Sequence, residues 1–220
     1  MATYLILGAN RGIGLQLAKQ LGERGEQVIA VCRHGSDELS ALPARVIDGV
    51  ELTDSDSLLN LQQQLADLQI DVLVHVAGIL RGDDLDSLSL EQMRQHFEVN
   101  TLAPLASLKA LRGNLAAGSK VFILSSRVGS IADNSSGGNY AYRVSKTAVN
   151  MVGVNLAHDL KPYGISVHLL HPGYVQTDMT GHRGNLAADE SAAGLIEQMD
   201  RLGLEDAGTF WHASGEQLEW

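Results

Sequence analysis

Thr3-Tyr4-Leu5-Ile6-Leu7-Gly8-Ala9-Asn10-Arg11-Gly12-Ile13-Gly14 joins a short apolar run to the start of a helical pattern, Gly14–Glu23. Glycines at 8, 12 and 14 let the chain turn tightly and bring its backbone close to a pyrophosphate. They also leave the helix N-terminus, with its positive end, facing that anion. Strand, glycine loop and helix in this order predict the opening of a dinucleotide-binding unit, with Asn10 and Ile13 inside the loop. A nucleoside-triphosphate loop is disfavoured, because no Gly-Lys-Ser/Thr follows at the required spacing.

Outward from this junction, apolar runs recur at Thr3–Leu7, Gln27–Cys32, Arg45–Asp48, Asp71–Val76, Lys120–Ser125, Ser166–His171 and Gly208–His212. Between them, Gly14–Glu23, Ser55–Leu68, Glu91–Leu111, Tyr142–Leu160 and Ser191–Leu202 carry apolar residues at helical spacing. This alternation predicts an α/β fold: a doubly wound parallel sheet of about seven strands with helices on both faces. No repeat, charge block or Pro/Ser-rich linker divides the chain, so residues 1–220 read as a single domain. Gly and small polar residues gather after several strands, in Gly8–Gly14, Gly78–Gly82, Gly129–Gly138 and Gly173–Gly184. Ligands of open parallel sheets bind outside the carboxyl ends of the strands, so these loops are expected to share one site.

Composition narrows the partners. Hydrophobic content of 45% with 19% charged residues fits a packed globular protein. A formal charge of −10 repels polyphosphate backbones, so nucleic acid is not expected as a partner. No apolar run approaches the ~18 residues of a membrane helix, and no basic-then-apolar leader opens the chain. The single Cys32 ends an apolar run and reads as a buried structural thiol in a reducing compartment. A cytoplasmic protein without membrane attachment is the expectation.

Cofactor choice is read at the end of the second strand, about twenty residues past the loop, where a carboxylate selects NAD and an arginine admits NADP. The residues there are Val31-Cys32-Arg33-His34, with no carboxylate before Asp37. Arg33 together with Arg11 in the glycine loop favours NADP(H) over NAD(H), since two guanidinium groups suit a ribose phosphate.

Tyr142 and Lys146 are four residues apart in a helical pattern and so share a face. A phenol titrates near pH ~10, and a neighbouring ammonium lowers that value by favouring the phenolate. The pair predicts a tunable proton donor. Tyr140 has Val144 at the equivalent spacing and reads as structural or substrate-lining. His75, His168 and His171 read as structural histidines, no spacing resembles a metal site, and Ser126 lacks the Gly-x-Ser-x-Gly frame of a hydrolase nucleophile.

With these motifs in this order, the chain resembles the short-chain dehydrogenase/reductase family from Thr3 to its end. Gly8-xxx-Gly12-Ile13-Gly14 is similar to the family's cofactor loop in a Rossmann-type fold. Glu51-Leu52-Thr53 resembles the acidic segment against the adenine. Asp71–Gly78 resembles the fourth strand, although His75 and Val76 stand where Asn-Asn is usual, before Ala77 and Gly78. Asn100 aligns with the helix asparagine of the catalytic tetrad, Ser126 with its serine, and Tyr142 and Lys146 with Tyr-xxx-Lys. Pro172-Gly173-Tyr174-Val175-Gln176-Thr177 resembles the segment beside the nicotinamide. Asn134–Gly138 lengthens the stretch between Ser126 and Tyr142. The ending from Gly208 to Trp220 resembles the C-factor-like and sniffer-like carbonyl reductases.

The resemblance implies hydride transfer between NADP(H) and a carbonyl or alcohol carbon, with Tyr142 as general acid or base and Lys146 lowering its pKa. Ser126 would bond the substrate oxygen, Asn100 would anchor a water leading to Lys146, and Thr177 would meet the carboxamide. It also implies a homodimer or homotetramer through the helices around Glu91–Leu111 and Tyr142–Leu160. The short polar stretch Thr177–Asp189 suggests an open site for a small carbonyl compound. Two alternatives stay open: an NAD(P)-binding regulatory or signalling protein with little turnover, as in C-factor-like relatives, and an NAD-dependent alcohol dehydrogenase.

Overall fold

In the computed structural model, which describes residues 1–220, strand β1 (Thr3–Leu7) is buried at every position because helices cover both its faces. The other strands are β2 (Gln27–Val31), β3 (Arg45–Ile47), β4 (Val72–His75), β5 (Lys120–Leu124), β6 (Ser166–His171) and β7 (Phe210–His212). They form one parallel sheet in the order β3-β2-β1-β4-β5-β6-β7. The direction of winding reverses between β1 and β4, which opens a crevice at their carboxyl ends.

The helices are α1 (Gly12–Glu23), α2 (Asp37–Ser40), α3 (Ser55–Gln64), α4 (Leu90–Phe97), α5 (Ala103–Leu111), α6 (Tyr140–Leu160) and α7 (Ala188–Arg201). Residues paired in register between parallel strands share a face, so Leu7, His75 and Ile123 line up side by side. That face packs Leu5, Leu73 and Val121 under Leu61 of α3, Leu108 of α5 and Val149 of α6. The opposite face packs Ile6, Val74 and Phe122 under Leu17 of α1 and Leu195 of α7. No helix is long and apolar enough to cross a membrane. Cys32 is buried and unpaired, and burial pushes its thiol pKa up.

One expected helix is broken. Glu91–Leu111 is not continuous: a π-helical segment, Glu98–Leu102, separates α4 from α5. Pro104 has no N–H to continue the α ladder, and the wider turn carries Asn100 and Thr101 into the interior toward α6. Such segments commonly mark functional positions. Other differences are small. The short α2 was not expected; Ser36 caps it by accepting from the Leu39 amide at 3.1 Å. The helix expected to reach Leu68 ends at Gln64, and α6 begins two residues before Tyr142.

Candidate active site

At the β1–α1 junction the glycines do what their spacing requires. Gly8 has φ +97°, and a Cβ there would lie 2.7 Å from the Ala77 amide nitrogen. A Cβ on Gly14 would lie 2.1 Å from the Gly8 carbonyl oxygen, so only glycine lets the helix start tuck into the loop. The first turn of α1 contains no acidic residue, and its N-cap, Arg11, supplies no side-chain bond. Its leading amides therefore face outward with their orphan donors and the positive helix end, which suits an anion. A cradle closed to any Cβ, beneath an acid-free helix start, fits the pyrophosphate of a dinucleotide.

From this cradle a cavity of about 420 Å³ runs along the carboxyl ends of the strands. Of the residues singled out in the sequence, Gly8, Asn10, Arg11, Gly12, Ile13, Arg33, Glu51, Leu52, Ala77, Gly78, Tyr142, Lys146, Pro172 and Thr177 line it. Gly14, Asn100, Ser126, Gly173 and Val175 stand outside its lining. Gly14 packs behind the loop, and Val175 is buried beneath it, bridging to Leu186. Gly173 has φ +92°, with Leu186 and His212 against it. The sequence reading missed Glu38, Ile79, Met179 and the Asp178–His182 pair, all in the lining.

The two arginines proposed for the ribose phosphate are both exposed and both already paired. Arg33 lies 3.3 Å from Glu51, and Arg11 lies 2.9 Å from Asp178, which also meets His182 at 3.1 Å. The Arg11 pair ties the β1–α1 loop to the loop after β6 across the cavity. Glu51 is also held by the Thr53 amide and hydroxyl, bonds that with Arg33 draw its pKa down against the opposing effect of burial.

At the far end, Tyr142, Lys146, Ser126 and Asn100 are all buried. Helix α6 places the Lys146 ammonium 5.8 Å from the centre of the Tyr142 ring, and Nζ donates to the Leu124 carbonyl at 2.9 Å. Gly129 lets the loop after Ser126 lie directly on α6, since a Cβ there would come within 2.8 Å of the Lys146 backbone. The lengthened Asn134–Gly138 stretch stands outside the cavity lining, and the Arg143 guanidinium donates to Val128 O at 3.1 Å and to Ser136 Oγ at 2.7 Å.

The electrostatics depart from the sequence expectation that the lysine lowers the phenol. Burial dominates both groups: the Tyr142 phenol is pushed up to about 12, with the Ser126 hydroxyl pulling the other way. Burial brings Lys146 down to about 8. Loss of water disfavours whichever form is charged, so an acid rises and an amine falls. Below pH 8 the pair therefore rests as a neutral phenol beside an ammonium that burial has brought close to losing its proton.

Asn100 holds the β4–α4 loop. Its Oδ1 accepts from the Ile79 amide at 2.8 Å, while Nδ2 donates to Ile79 O at 2.9 Å and to Ser145 Oγ at 3.0 Å. A Cβ on Gly78 would sit 3.1 Å from this Oδ1 and 3.6 Å from Lys146 Nζ, so Gly78 lies between asparagine and lysine. Behind them His75 is buried with Nε2 unpartnered, and its pKa falls to about 3 through burial and the nearby Lys146 charge. His171 falls to about 3, and His168, stacked on Phe122 at 5.1 Å, to about 4, each chiefly through burial. His75 and His168 are buried in the core, while His171 is partly buried at the end of β6. No group of three or more His, Cys, Asp or Glu side chains converges as a metal site.

Comparison with known proteins places the chain in a family of this fold. The family model described as short chain dehydrogenase matches residues 2–186. The 1-hydroxy-2-glutathionyl-2-methyl-3-butene dehydrogenase of Rhodococcus sp. (strain AD45) is 43% identical over 226 residues, covering 100% of both chains. The carbonyl reductase Sniffer of D. melanogaster superposes with a TM-score of 0.93 at 28% identity, over 100% of each chain. A carbonyl reductase from Pseudomonas aeruginosa PAO1 in complex with NADP gives 0.88 at 33% identity, again over 100% of each chain.

Proposed function

The chain belongs to the short-chain dehydrogenase/reductase family, and we propose that within it the chain is an NADPH-dependent carbonyl reductase using Tyr142 as proton donor. The observation that carries this reading is the buried Tyr142–Lys146 pair with Ser126 beside the phenol, at one end of a cavity whose other end is a pyrophosphate cradle. Bound nicotinamide would supply the hydride. The protein's own part is binding, orientation and proton movement. Ser126 Oγ donates a hydrogen bond to the substrate oxygen as negative charge grows there. Tyr142 gives that oxygen its proton, and takes it back when an alcohol is oxidised. Lys146, protonated as the phenolate forms, stabilises it and would hold the ribose hydroxyls of a bound cofactor. Asn100, with Ile79 and Gly78 around it, anchors a water through which Lys146 regains its proton.

NADPH preference rests on Arg11 and Arg33 at the ribose end. Their exposed pairs with Asp178 and Glu51 are worth only about 0–1 kcal/mol each, so a ribose phosphate displaces them. Phe97, Leu102, Leu105, Val144 and Met151, exposed on α4–α6, support a homodimer or homotetramer. Light scattering on eluted protein that finds only monomer removes that part of the reading.

A second reading is NAD-dependent oxidation of an alcohol that carries a glutathionyl-like group. It is supported by the Rhodococcus dehydrogenase at 43% identity, and by the carboxylates Glu38 and Glu51 in the cavity lining, the latter paired with Arg33. Absorbance at the nicotinamide band separates the two. NADPH or NADH is offered with aldehydes, ketones and quinones, and NADP or NAD with simple and glutathione-conjugated alcohols.

A further inference from the structure

Helix α6 carries Tyr142 in its first turn, yet nothing local caps it. Its N-cap residue, Asn139, is left-handed (φ 49°) and its side chain bonds no amide, and the first turn has no acidic residue. The missing acceptor comes from another part of the chain. Asp83, 58 residues earlier in the β4–α4 loop, accepts from the Ala141 amide through Oδ2 at 3.1 Å. Its backbone carbonyl also accepts from the Asn139 amide at 2.8 Å. Gln92 of α4 donates to the same Oδ2 at 3.2 Å and holds the carboxylate in place.

The loop that presents Asp83 is pinned along its length. Asn100 bonds both backbone groups of Ile79, His96 Nε2 accepts from the Arg81 amide at 3.0 Å, and Gln92 donates to Arg81 O at 3.3 Å. His96 in turn stands edge-on to Tyr142, with ring centres 6.4 Å apart. A carboxylate at a helix N-terminus satisfies an orphan amide and favours the helix dipole.

We infer that Asp83 is a positioning residue for Tyr142: reaching across from the β4–α4 loop, it caps the helix that carries the phenol and fixes where the phenol stands. Asp83 is not among the residues lining the cavity; it acts through the Ala141 amide. The inference rests on the proposed role of Tyr142, so its test has one arm that needs no activity.

In that arm, hydrogen–deuterium exchange is followed at Tyr140–Arg143 in Asp83→Ala and Asp83→Asn. The alanine variant is expected to exchange about fivefold to tenfold faster there, with the sheet amides unchanged, because loss of a cap opens the first turn. The asparagine variant keeps an acceptor oxygen and is expected to stay within about twofold of the parent. In the activity arm, kcat for carbonyl reduction with NADPH falls about tenfold in Asp83→Ala while the NADPH Kd holds, and Asp83→Asn restores most of the rate. Asp83→Glu, which keeps the charge but displaces it by one methylene, provides an intermediate loss should the alanine variant fold poorly. Unchanged exchange at Tyr140–Arg143, or equal damage from asparagine and alanine, overturns the inference. A parent protein without turnover overturns the reading of Tyr142 instead, and the exchange result still decides the cap.

Discussion

The Lys146 ammonium spends its hydrogen bond on the Leu124 carbonyl, at 2.9 Å, while standing 5.8 Å from the Tyr142 ring. Lysine and phenol are thus held by separate parts of the fold, the lysine by the end of β5 and the phenol by the start of α6. Burial shifts each of them, the phenol up and the lysine down.

A pH dependence follows from this arrangement. Lys146 titrates at about 8, and the proposed reduction needs its charge when the phenolate forms. Carbonyl reduction is expected to be level below pH 8 and to fall about tenfold per unit above it. Stability moves in the opposite sense. Between about 8 and 10.5 the unfolded chain binds the lysine proton and the folded chain does not, so this group's contribution rises with pH through that window. Lys146→Met is expected to abolish turnover yet raise the urea midpoint at pH 7; a lowered midpoint there contradicts the burial argument.

The neutral histidines set the acid side. His75 and His171 at about 3, and His168 at about 4, all lie below the ordinary 6.5. From pH 6.5 downward the unfolded chain takes up protons that the folded chain refuses, so stability falls as pH falls, until the folded groups titrate at about 3–4. Each histidine contributes a slope of about 1.4 kcal/mol per pH unit in that window. His75→Asn is expected to flatten the dependence by the equivalent of one proton, measured as urea unfolding free energies at pH 4, 5, 6 and 7.

The glycine cradle makes a sharp contrast of variants. In Gly14→Ala the new methyl meets the Gly8 carbonyl at 2.1 Å, so the loop must shift and NADPH binding is expected to drop at least a hundredfold. Gly113 has nothing within 4 Å of an added methyl. Gly113→Ala is therefore expected to bind NADPH normally and to keep or slightly raise the melting temperature. Fluorescence titration with NADPH reads both.

Removing the guanidinium in Arg33→Ala is expected to raise the NADPH Kd about tenfold to a hundredfold, the loss of a charge-assisted bond, and to leave NADH nearly unchanged. Equal loss for both cofactors would point to Glu51 and the adenine side rather than to a phosphate.

What the sequence made legible and what it hid divide along a physical line. The seven strands, the Gly8–Gly14 junction and the Tyr142–Lys146 spacing are written in local periodicity, and each appears in the structure where that periodicity puts it. The π segment at Glu98–Leu102 was hidden, because it depends on Pro104 and on bonds from Asn100 and Thr101 to Ser145, 45 and 44 positions away. The Arg11–Asp178 tie spans 167 positions and the Asp83–Ala141 cap spans 58, distances no pattern of spacing can encode. The sign of the Tyr142 shift was hidden for a related reason. Proximity of an ammonium is visible at i+4, but desolvation comes from side chains that only the folded chain assembles.

The central claim is that the Tyr142 phenol delivers the proton to a carbonyl oxygen. Its most direct test is single-turnover oxidation of bound NADPH by an aldehyde or ketone substrate, comparing the parent protein with Tyr142→Phe. A rate about a thousandfold or more below the parent, with the NADPH Kd unchanged, is the predicted result. Near-normal reduction by Tyr142→Phe with NADPH bound would contradict the account.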